Sequence, residues 1–279
     1  MMVPAHKYFK QLDFIMKRIV VSMTSYPKRI RNVSISIYLL LEKQTVRPDE
    51  IHLWLSVEEF PNREKDLPED LNLVVQSCEK VFLHWLDRNT YVHKRHEIFK
   101  TVGDAYVFLI DDDVRYADNL IETVVGKAEK YPGTIVCYNR YDRHRYSGKH
   151  ILYGQPTPPN YPPDVNEYRW CGQSMIPSSV YPKECLTEEN QRIRDNTSPV
   201  SDECWFQPWI VKNDIPIVHC SYGWGEDIDK NNGKKQGLVA WSHQKDENGY
   251  ERRDIWLNNV LSAYPDIMEK YKRLFNYGE

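Results

Sequence analysis

The chain has 279 residues, 41% of them hydrophobic and 28% charged, which fits one large globular domain and excludes a disordered chain. Its formal net charge of −3 argues against a general nucleic-acid binder, because such proteins carry an excess of basic residues. The longest purely apolar run covers residues 105–110, whereas a membrane-spanning helix needs about 20 residues.

The six cysteines contain no CxxC pair, which argues against a zinc knuckle or a redox pair and favours buried thiols in a reducing compartment. The N-terminus carries no pattern typical of a secretory signal, so we expect a cytoplasmic protein without a transmembrane segment. Aromatic residues are frequent, with 8 Trp, 19 Tyr and 8 Phe, and such rings suit sugars, bases and protein interfaces. A tyrosine-rich surface without a ligand is the alternative interpretation.

Strand-like and helix-like segments alternate over the first half of the chain, after an N-terminal extension at residues 1–15. Apolar residues spaced three to four apart predict helices, and short apolar runs predict strands. The most distinct strand is the wholly apolar run at 105–110, as expected of a central strand covered on both faces. The predicted strands are 18–22, 51–55, 72–75, 81–85, 105–110 and 134–138, and the predicted helices are 33–43, 92–102 and one from 118 or 119 to before 131. This alternation predicts an α/β fold with a mostly parallel central sheet flanked by helices.

The second half of the chain is less regular. Five prolines fall within residues 156–163, and the stretch 141–170 is predicted to be a long irregular loop, which in a compact domain is usually functional. Ser201 is a candidate cap for a helix over 202–212, and further helices are predicted at 254–263 and at the end of the chain. Between them lies a polar stretch with four glycines at 223–237.

The clearest functional signal is the run Asp111, Asp112 and Asp113, directly after the apolar strand. In open α/β sheets, ligands bind at the carboxyl ends of the strands. Adjacent carboxylates repel each other, and a divalent cation such as Mg²⁺ or Mn²⁺ would relieve this repulsion, since hard cations prefer oxygen ligands. A solvated acidic turn, in which Asp113 caps the next element, is the alternative.

A second acidic pair, Asp202 and Glu203, opens the predicted helix at 202–212. A carboxylate beside a reacting centre can act as a general base toward a hydroxyl group. The helix dipole also favours acidic residues in the first turn, so an ordinary helix start is the alternative. Trp205 and Trp209 share one face of this helix, and such residues are more often part of the core than a platform for a sugar.

Further candidates come from the end of the first strand and from the histidines. The polar turn after the first predicted strand can hold a nucleotide, with Arg29 facing a phosphate, although it lacks the glycines of a phosphate loop. His93 and His96 are expected at the surface or beside a phosphate. His219 is expected in the core, and His243 is a candidate to complete a metal site.

Four segments in this order resemble those of GT-A glycosyltransferases, and more closely those of small bacterial family-2-like enzymes from polysaccharide and surface-glycan gene sets. The first resembles the first strand and nucleotide loop, and the second resembles a Q…PD-x-I-x-L-W-L-S segment. The third resembles a lysine helix followed by a DDD-V-x-Y strand end, and the fourth a D-D-x-W helix start. They are Val20–Arg29, Gln44–Ser56, Tyr91–Lys94 with Phe108–Tyr116, and Ser201–Trp205.

The resemblance covers residues 17–260 and implies a single GT-A (Rossmann-like) catalytic domain over 16–279. Residues 16–140 would form the nucleotide-sugar-binding half and residues 141–279 the acceptor-binding half. The implied activity is the metal-dependent transfer of a sugar, of the hexosyltransferase type, from a nucleotide diphosphate sugar with UDP as the expected nucleotide. The acceptor would be a glycan or lipid-linked glycan, contact with a membrane would be peripheral, and no nucleic acid would be bound.

The resemblance also implies roles for individual residues, with Mn²⁺ or Mg²⁺ as the cofactor. Donor binding would fall to Thr24, Tyr26, Arg29, Lys94, Asp111 and Asp112, metal binding to Asp113 and His243, and the general base to Glu203 or Asp202. Glu203 is our first choice because its longer side chain reaches further, and Asp202 remains the alternative. A base at this place implies one direct attack and inversion at the anomeric carbon.

Two other functional classes share part of this pattern. A haloacid-dehalogenase-like phosphatase also has a D-x-D motif after an apolar strand, here Asp111 and Asp113. That motif expects Thr or Val two residues further on, where this chain has Arg115. A non-catalytic carbohydrate-binding module would explain the aromatic residues but neither acidic cluster.

Overall fold

A seven-stranded, mostly parallel sheet forms the centre of the protein. The computed structural model describes residues 17–137, 143–155, 173–220, 226–228 and 242–275. Its strands are β1 (Arg18–Thr24), β2 (Glu50–Ser56), β3 (Val81–Leu86), β4 (Ala105–Leu109), β5 (Val114–Arg115), β6 (Ile135–Cys137), β7 (Arg143–Tyr146), β8 (Ile151–Gln155), β9 (Ser174–Pro177), β10 (Ile217–His219) and β11 (Glu226–Asp227). The large sheet has the order β10–β6–β9–β4–β1–β2–β3, in which β9 runs antiparallel to both neighbours and the other pairs are parallel. The pairs β5 with β11 and β7 with β8 are antiparallel and separate from it.

Helices flank this sheet. They are α1 (Val33–Glu42), α2 (Glu69–Ser77), α3 (Leu120–Lys130), α4 (Glu188–Thr197), α5 (Asp202–Lys212), α6 (Arg252–Ala263) and α7 (Pro265–Phe275). A 3-10 helix, Tyr91–Lys100, connects β3 to β4. Within the described ranges, none of the helices is long and apolar enough to cross a membrane.

Two large apolar clusters explain why the central strands are apolar throughout. In β4, Phe108 belongs to the cluster that contains residues of α1, α2 and α3, whereas Val107 belongs to the cluster that contains residues of the 3-10 helix and α5. Successive side chains of a strand point to opposite faces, so a strand covered on both faces has no polar side. A third cluster joins α5 to α6 and α7, with Leu257 and Tyr271 fully buried. The carboxyl end of β4 therefore extends from a core that is packed on both faces.

The predicted α/β class, with a mostly parallel sheet flanked by helices, is confirmed. The cap predicted for α5 is also present, because the side chain of Ser201 accepts a hydrogen bond from the backbone N–H of Cys204 at 3.2 Å. The prediction of a strand at 72–75 is wrong, since these residues lie within α2. Pro68 precedes that helix and the acidic residues Glu69 and Asp70 form its first turn, which is a favourable helix start.

Part of the predicted irregular loop is regular. Residues 143–155 contain the antiparallel pair β7 and β8, so the prediction of an irregular loop is wrong there. Strand β9 carries little signal in the sequence, because it is four residues long and ends at Pro177. The rest of the predicted loop, at 156–170, the extension at 1–15 and most of the glycine-containing stretch at 223–237 lie outside the described residues.

Candidate active site

The loops after β1 and β4 meet at the carboxyl end of the sheet. Ser25, which follows β1, donates a hydrogen bond from its hydroxyl to Oδ2 of Asp112. Arg29, at the end of the same turn, forms an ion pair with Asp112 at 2.8 Å and another with Asp113. The structure thus brings together two of the segments that the sequence marks as functional, at the sheet edge where α/β proteins bind ligands.

The three consecutive aspartates alternate in exposure. The side chain of Asp112 is 1% exposed, whereas those of Asp111 and Asp113 are 36% and 29% exposed. Burial raises the pKa of Asp112 to about 6, although Arg29 opposes this shift. Burial also raises the pKa of Asp113, against the opposing effect of Arg29. Asp112 therefore anchors the loop in the protein, while its neighbours present carboxylate oxygens toward solvent; the predicted nucleotide contact of Asp112 stays a prediction.

Arg29 supplies the positive charge that these carboxylates need. Its burial alone would lower its pKa, but Asp112 and Asp113 raise the pKa above its usual value, so the guanidinium stays charged. The guanidinium also lies over the ring of Tyr26, 5.1 Å from the ring centroid. Both predicted donor-binding residues of this turn therefore stand beside the acidic cluster, at the surface where an anionic ligand could reach Arg29.

Thr24 and Lys94 lie deeper at the same edge. The hydroxyl of Thr24 donates to the backbone carbonyl of Trp54 at 2.7 Å and so ties the ends of β1 and β2 together. Lys94 is 1% exposed; its Nζ forms an ion pair with Glu59 and lies 3.4 Å from the carbonyl of Ser25. Burial lowers the pKa of Lys94, and Glu59 opposes this effect. Lys94 supports the β1 turn from below, and its contact with a phosphate stays a prediction.

The two acidic residues at the start of α5 occupy different environments. Asp202 is 4% exposed, and its Oδ2 accepts hydrogen bonds from Nε and Nη2 of Arg95 at 2.9 and 2.6 Å. Nε2 of His96 lies 3.1 Å from the same oxygen. Burial would raise the pKa of Asp202, but Arg95 and His96 together hold it well below its usual value. Glu203 is only partly buried.

Arg95 connects the two acidic clusters, and no motif in the sequence singles it out as a functional residue. Its Nη1 donates to Oδ1 of Asp111 at 2.9 Å, while its Nε and Nη2 bind Asp202. The other oxygen of Asp111 accepts from Nε2 of Gln173 at 2.6 Å. The backbone N–H of Asp111 donates to the hydroxyl of Tyr116 at 2.9 Å. The sequence shows four consecutive basic residues, 93–96, in a predicted helix, but this run does not indicate which of them faces the interior.

The predicted surface position of His93 and His96 is wrong, because both are buried. His93 lies 2.9 Å from the carbonyl of Ser198, and its burial lowers its pKa to about 3, so it is neutral. Burial likewise lowers the pKa of His96, against the opposing effect of Asp202. His219 is buried, as predicted.

His243 lies on a different part of the chain from the aspartates. It is 44% exposed, and its Nδ1 lies 3.1 Å from Oε2 of Glu251, at the start of α6. Across the described ranges, no three His, Cys, Asp or Glu side chains are grouped so that they could hold a metal ion by themselves. The pairing of His243 with Asp113 in a metal site stays a prediction.

Comparison with known proteins gives a distant likeness in structure. No family model matches the sequence, and no curated protein matches it in sequence. A structure of Staphylococcus aureus TarS 1–349 in complex with UDP is similar over 74% of this chain and 59% of the TarS chain, with 10% identity and a TM-score of 0.46. A second structure of TarS 1–349 is similar over the same shares, with 11% identity and a TM-score of 0.42. The function is therefore inferred from the chain's own site.

Proposed function

We propose that this protein is a GT-A glycosyltransferase that moves a sugar from a nucleotide diphosphate sugar to a hydroxyl group of a glycan or lipid-linked glycan. The observation that carries the proposal is the convergence of Asp111–Asp113 with Arg29 at the carboxyl end of the sheet. This edge offers a cationic guanidinium for phosphates beside two partly exposed carboxylates. A carbohydrate-binding module would need neither feature.

A divalent cation fits the donor groups at this edge. Magnesium is usually bound by one or two carboxylates together with substrate phosphates and water, rather than by a cage made only of protein. Asp113, with Asp111 beside it, supplies such carboxylates. Partial burial raises the pKa of Asp113, and a nearby cation would favour its charged form. When bound, Mn²⁺ or Mg²⁺ would stabilise the negative charge that develops on the departing diphosphate. The metal requirement belongs to the proposal.

Arg29 would change partners when the donor binds. In the free protein its guanidinium neutralises Asp112 and Asp113. A diphosphate at this edge competes for the same guanidinium, because Arg binds phosphate through charge-assisted hydrogen bonds. Tyr26, which lies against the Arg29 guanidinium, would restrict the directions in which this side chain moves.

Glu203 is proposed as the general base. Asp202 is ionised but buried, and one of its oxygens already accepts two hydrogen bonds from Arg95 and lies 3.1 Å from Nε2 of His96, so it is poorly placed to take a proton from an acceptor. Glu203 is more exposed and lies one residue further, about 100° around the helix axis. Removal of the acceptor proton by Glu203, with attack from the face opposite the diphosphate, would invert the configuration at the anomeric carbon.

The test is a transfer assay with a panel of nucleotide sugars and hydroxyl acceptors, in which the released nucleoside diphosphate is measured. UDP-sugars form the first part of the panel. We expect release that depends on donor, acceptor and Mn²⁺ or Mg²⁺, and a product of inverted configuration. Release of inorganic phosphate from phosphate monoesters, without sugar transfer, would instead support the phosphatase. Binding of glycans without binding of any nucleotide would support the carbohydrate-binding module.

A further inference from the structure

Arg95 is the most completely bonded buried charge at the site. Its side chain is 3% exposed, and its three nitrogens bind Asp111, Asp202 and the backbone carbonyl of Ile110. Its own backbone carbonyl accepts a hydrogen bond from the Ser22 hydroxyl at 2.7 Å. One residue of the 3-10 helix is thereby bonded to β1, to the segment after β4 and to the first turn of α5.

We infer that Arg95 is a positioning residue that fixes the donor-binding end of β4 relative to the base-bearing start of α5, an inference that rests on the proposed function. Asp111 stands on the donor side of the site, and Glu203 follows Asp202 directly on the acceptor side. Arg95 does not itself need to touch the substrate. It acts through the two carboxylates that it holds.

The chemistry of the guanidinium suits this role better than that of other side chains. It is planar, permanently charged and offers donors in a fixed fork, so it can bind two carboxylates at a defined angle. Lysine offers the same charge as a point and would not fix that angle. Apolar residues of similar volume often stabilise a protein as well as a buried ion pair does, so fold stability alone does not require this cluster.

The neighbours of Arg95 restrict both carboxylates further. Gln173 holds the second oxygen of Asp111, so that side chain is fixed at both oxygens. His96 contacts Asp202 through Nε2, and its Nδ1 lies 3.1 Å from the hydroxyl of Tyr181. Donation from Nε2–H to Asp202 and acceptance at Nδ1 from Tyr181 would satisfy both ring nitrogens of a neutral imidazole. The first turn of α5 is therefore tied to Asp111 through a connected set of polar contacts.

The first test is Arg95→Lys, with transfer measured per folded enzyme. A displacement of about 1 Å in a site can cost about 10²-fold in rate, so we expect kcat to fall by about 10²-fold. Donor affinity should change much less than kcat, because Asp111 keeps its hydrogen bond from Gln173. Arg194→Lys is the matched control, because Arg194 is also a buried arginine, on α4, and its carboxylate partner is Asp195. The control should lose stability and keep its kcat per folded molecule. An Arg95→Lys variant with the wild-type kcat would overturn the inference.

The second test is a double-mutant cycle between Arg95→Lys and Glu203→Gln. If Arg95 acts by placing Glu203, its replacement should lower the rate far less once Glu203 is lost, so the two effects should not add. Fully additive effects would show that Arg95 does not act through Glu203 and would overturn the inference. If Arg95→Lys does not fold, His96→Gln, which keeps a donor beside Asp202, is taken through the same cycle with the same criteria. The results with these variants bear only on the role of Arg95. A wild-type protein that binds no nucleotide would refute the proposed function itself.

Discussion

Asp202 and Glu203 are adjacent acids at the start of α5, and the structure predicts opposite consequences for their replacement. Asp202→Asn keeps the shape of the side chain but removes the charge that faces Arg95 and His96. Glu203→Gln removes a charge from a partly buried side chain one residue further on. We therefore expect the first variant to lose stability and the second to lose catalysis.

The expected magnitudes follow from burial. Removal of one partner from a buried ion pair leaves the other charge uncompensated and costs about 3–5 kcal/mol. At 4% exposure, Asp202 belongs to this class. Arg95 keeps its ion pair with Asp111, so Asp202→Asn should lower the free energy of unfolding by about 3 kcal/mol at pH 7, the lower end of that range. Glu203→Gln should cost less than about 1 kcal/mol, which is the usual contribution of an acid near a helix N-terminus. Its kcat should fall by about 10²–10⁴-fold, as for a lost general base.

The stability that Asp202 contributes should change with pH in a defined direction. Because the folded protein holds the pKa of Asp202 below its unfolded value, the stability from its charge is fully present above about pH 4 and is lost as the pH falls through the folded pKa. The difference between wild type and Asp202→Asn should therefore be largest near neutral pH and shrink in acid.

Urea unfolding of both variants and the wild type, at pH 7 and at pH 3.5, measures these differences. Glu188→Gln is the control for a helix-start acid, because Glu188 opens α4 and its side chain is 92% exposed. It should change stability as little as Glu203→Gln and leave activity unchanged. An Asp202→Asn variant as stable as the wild type at pH 7 would refute the reasoning about the buried pair. A Glu203→Gln variant that transfers sugar normally would refute the assignment of the base.

Two further predictions concern the acidic loop after β4. Asp113→Asn should reduce metal-dependent transfer by at least about 10²-fold, because it removes a proposed metal ligand and a charge that faces Arg29, and full activity of the wild type in excess chelator would contradict this. Burial raises the pKa of Asp112 from 3.8 to about 6, so the wild type should lose about 3 kcal/mol of stability as the pH rises from about 4 to about 6, after which this contribution is constant. Asp112→Asn should flatten that part of the profile in chemical unfolding experiments, and an unchanged slope would show that Asp112 is not its source.

The sequence predicts those parts of the site that depend on local pattern. An apolar run followed by Asp111 indicates a buried strand with a polar end, and Ser201 before an acidic pair indicates a helix start; the structure contains both. These signals extend over a few neighbouring residues. They can therefore be recognised without knowledge of the tertiary packing.

The contacts of Arg95 could not be predicted in the same way. Its carboxylate partners lie 16 and 107 residues further along the chain. Lys and Arg side chains are mostly exposed in proteins, so the sequence alone does not predict that Arg95 is buried. The burial of Arg95 depends on the sheet, whose strands β1 and β2 lie against the 3-10 helix, and on α5, which shares an apolar cluster with that helix. The short strand β9 could not be predicted for the same reason, because its pairing with β4 and β6 is set by the sheet and not by its own four residues.

The most direct test of the proposed donor site is the binding of nucleoside diphosphates. Thermal or chemical unfolding is followed with UDP, other nucleoside diphosphates and the matching monophosphates, each with and without Mn²⁺. A ligand at 100 times its Kd should stabilise the protein by about 2.7 kcal/mol. The proposed function predicts that a diphosphate stabilises the wild type more strongly with Mn²⁺ than without it, and that Asp113→Asn removes this difference. A protein that no nucleotide stabilises, with or without the metal, would contradict the assignment of this sheet edge as a nucleotide-sugar site.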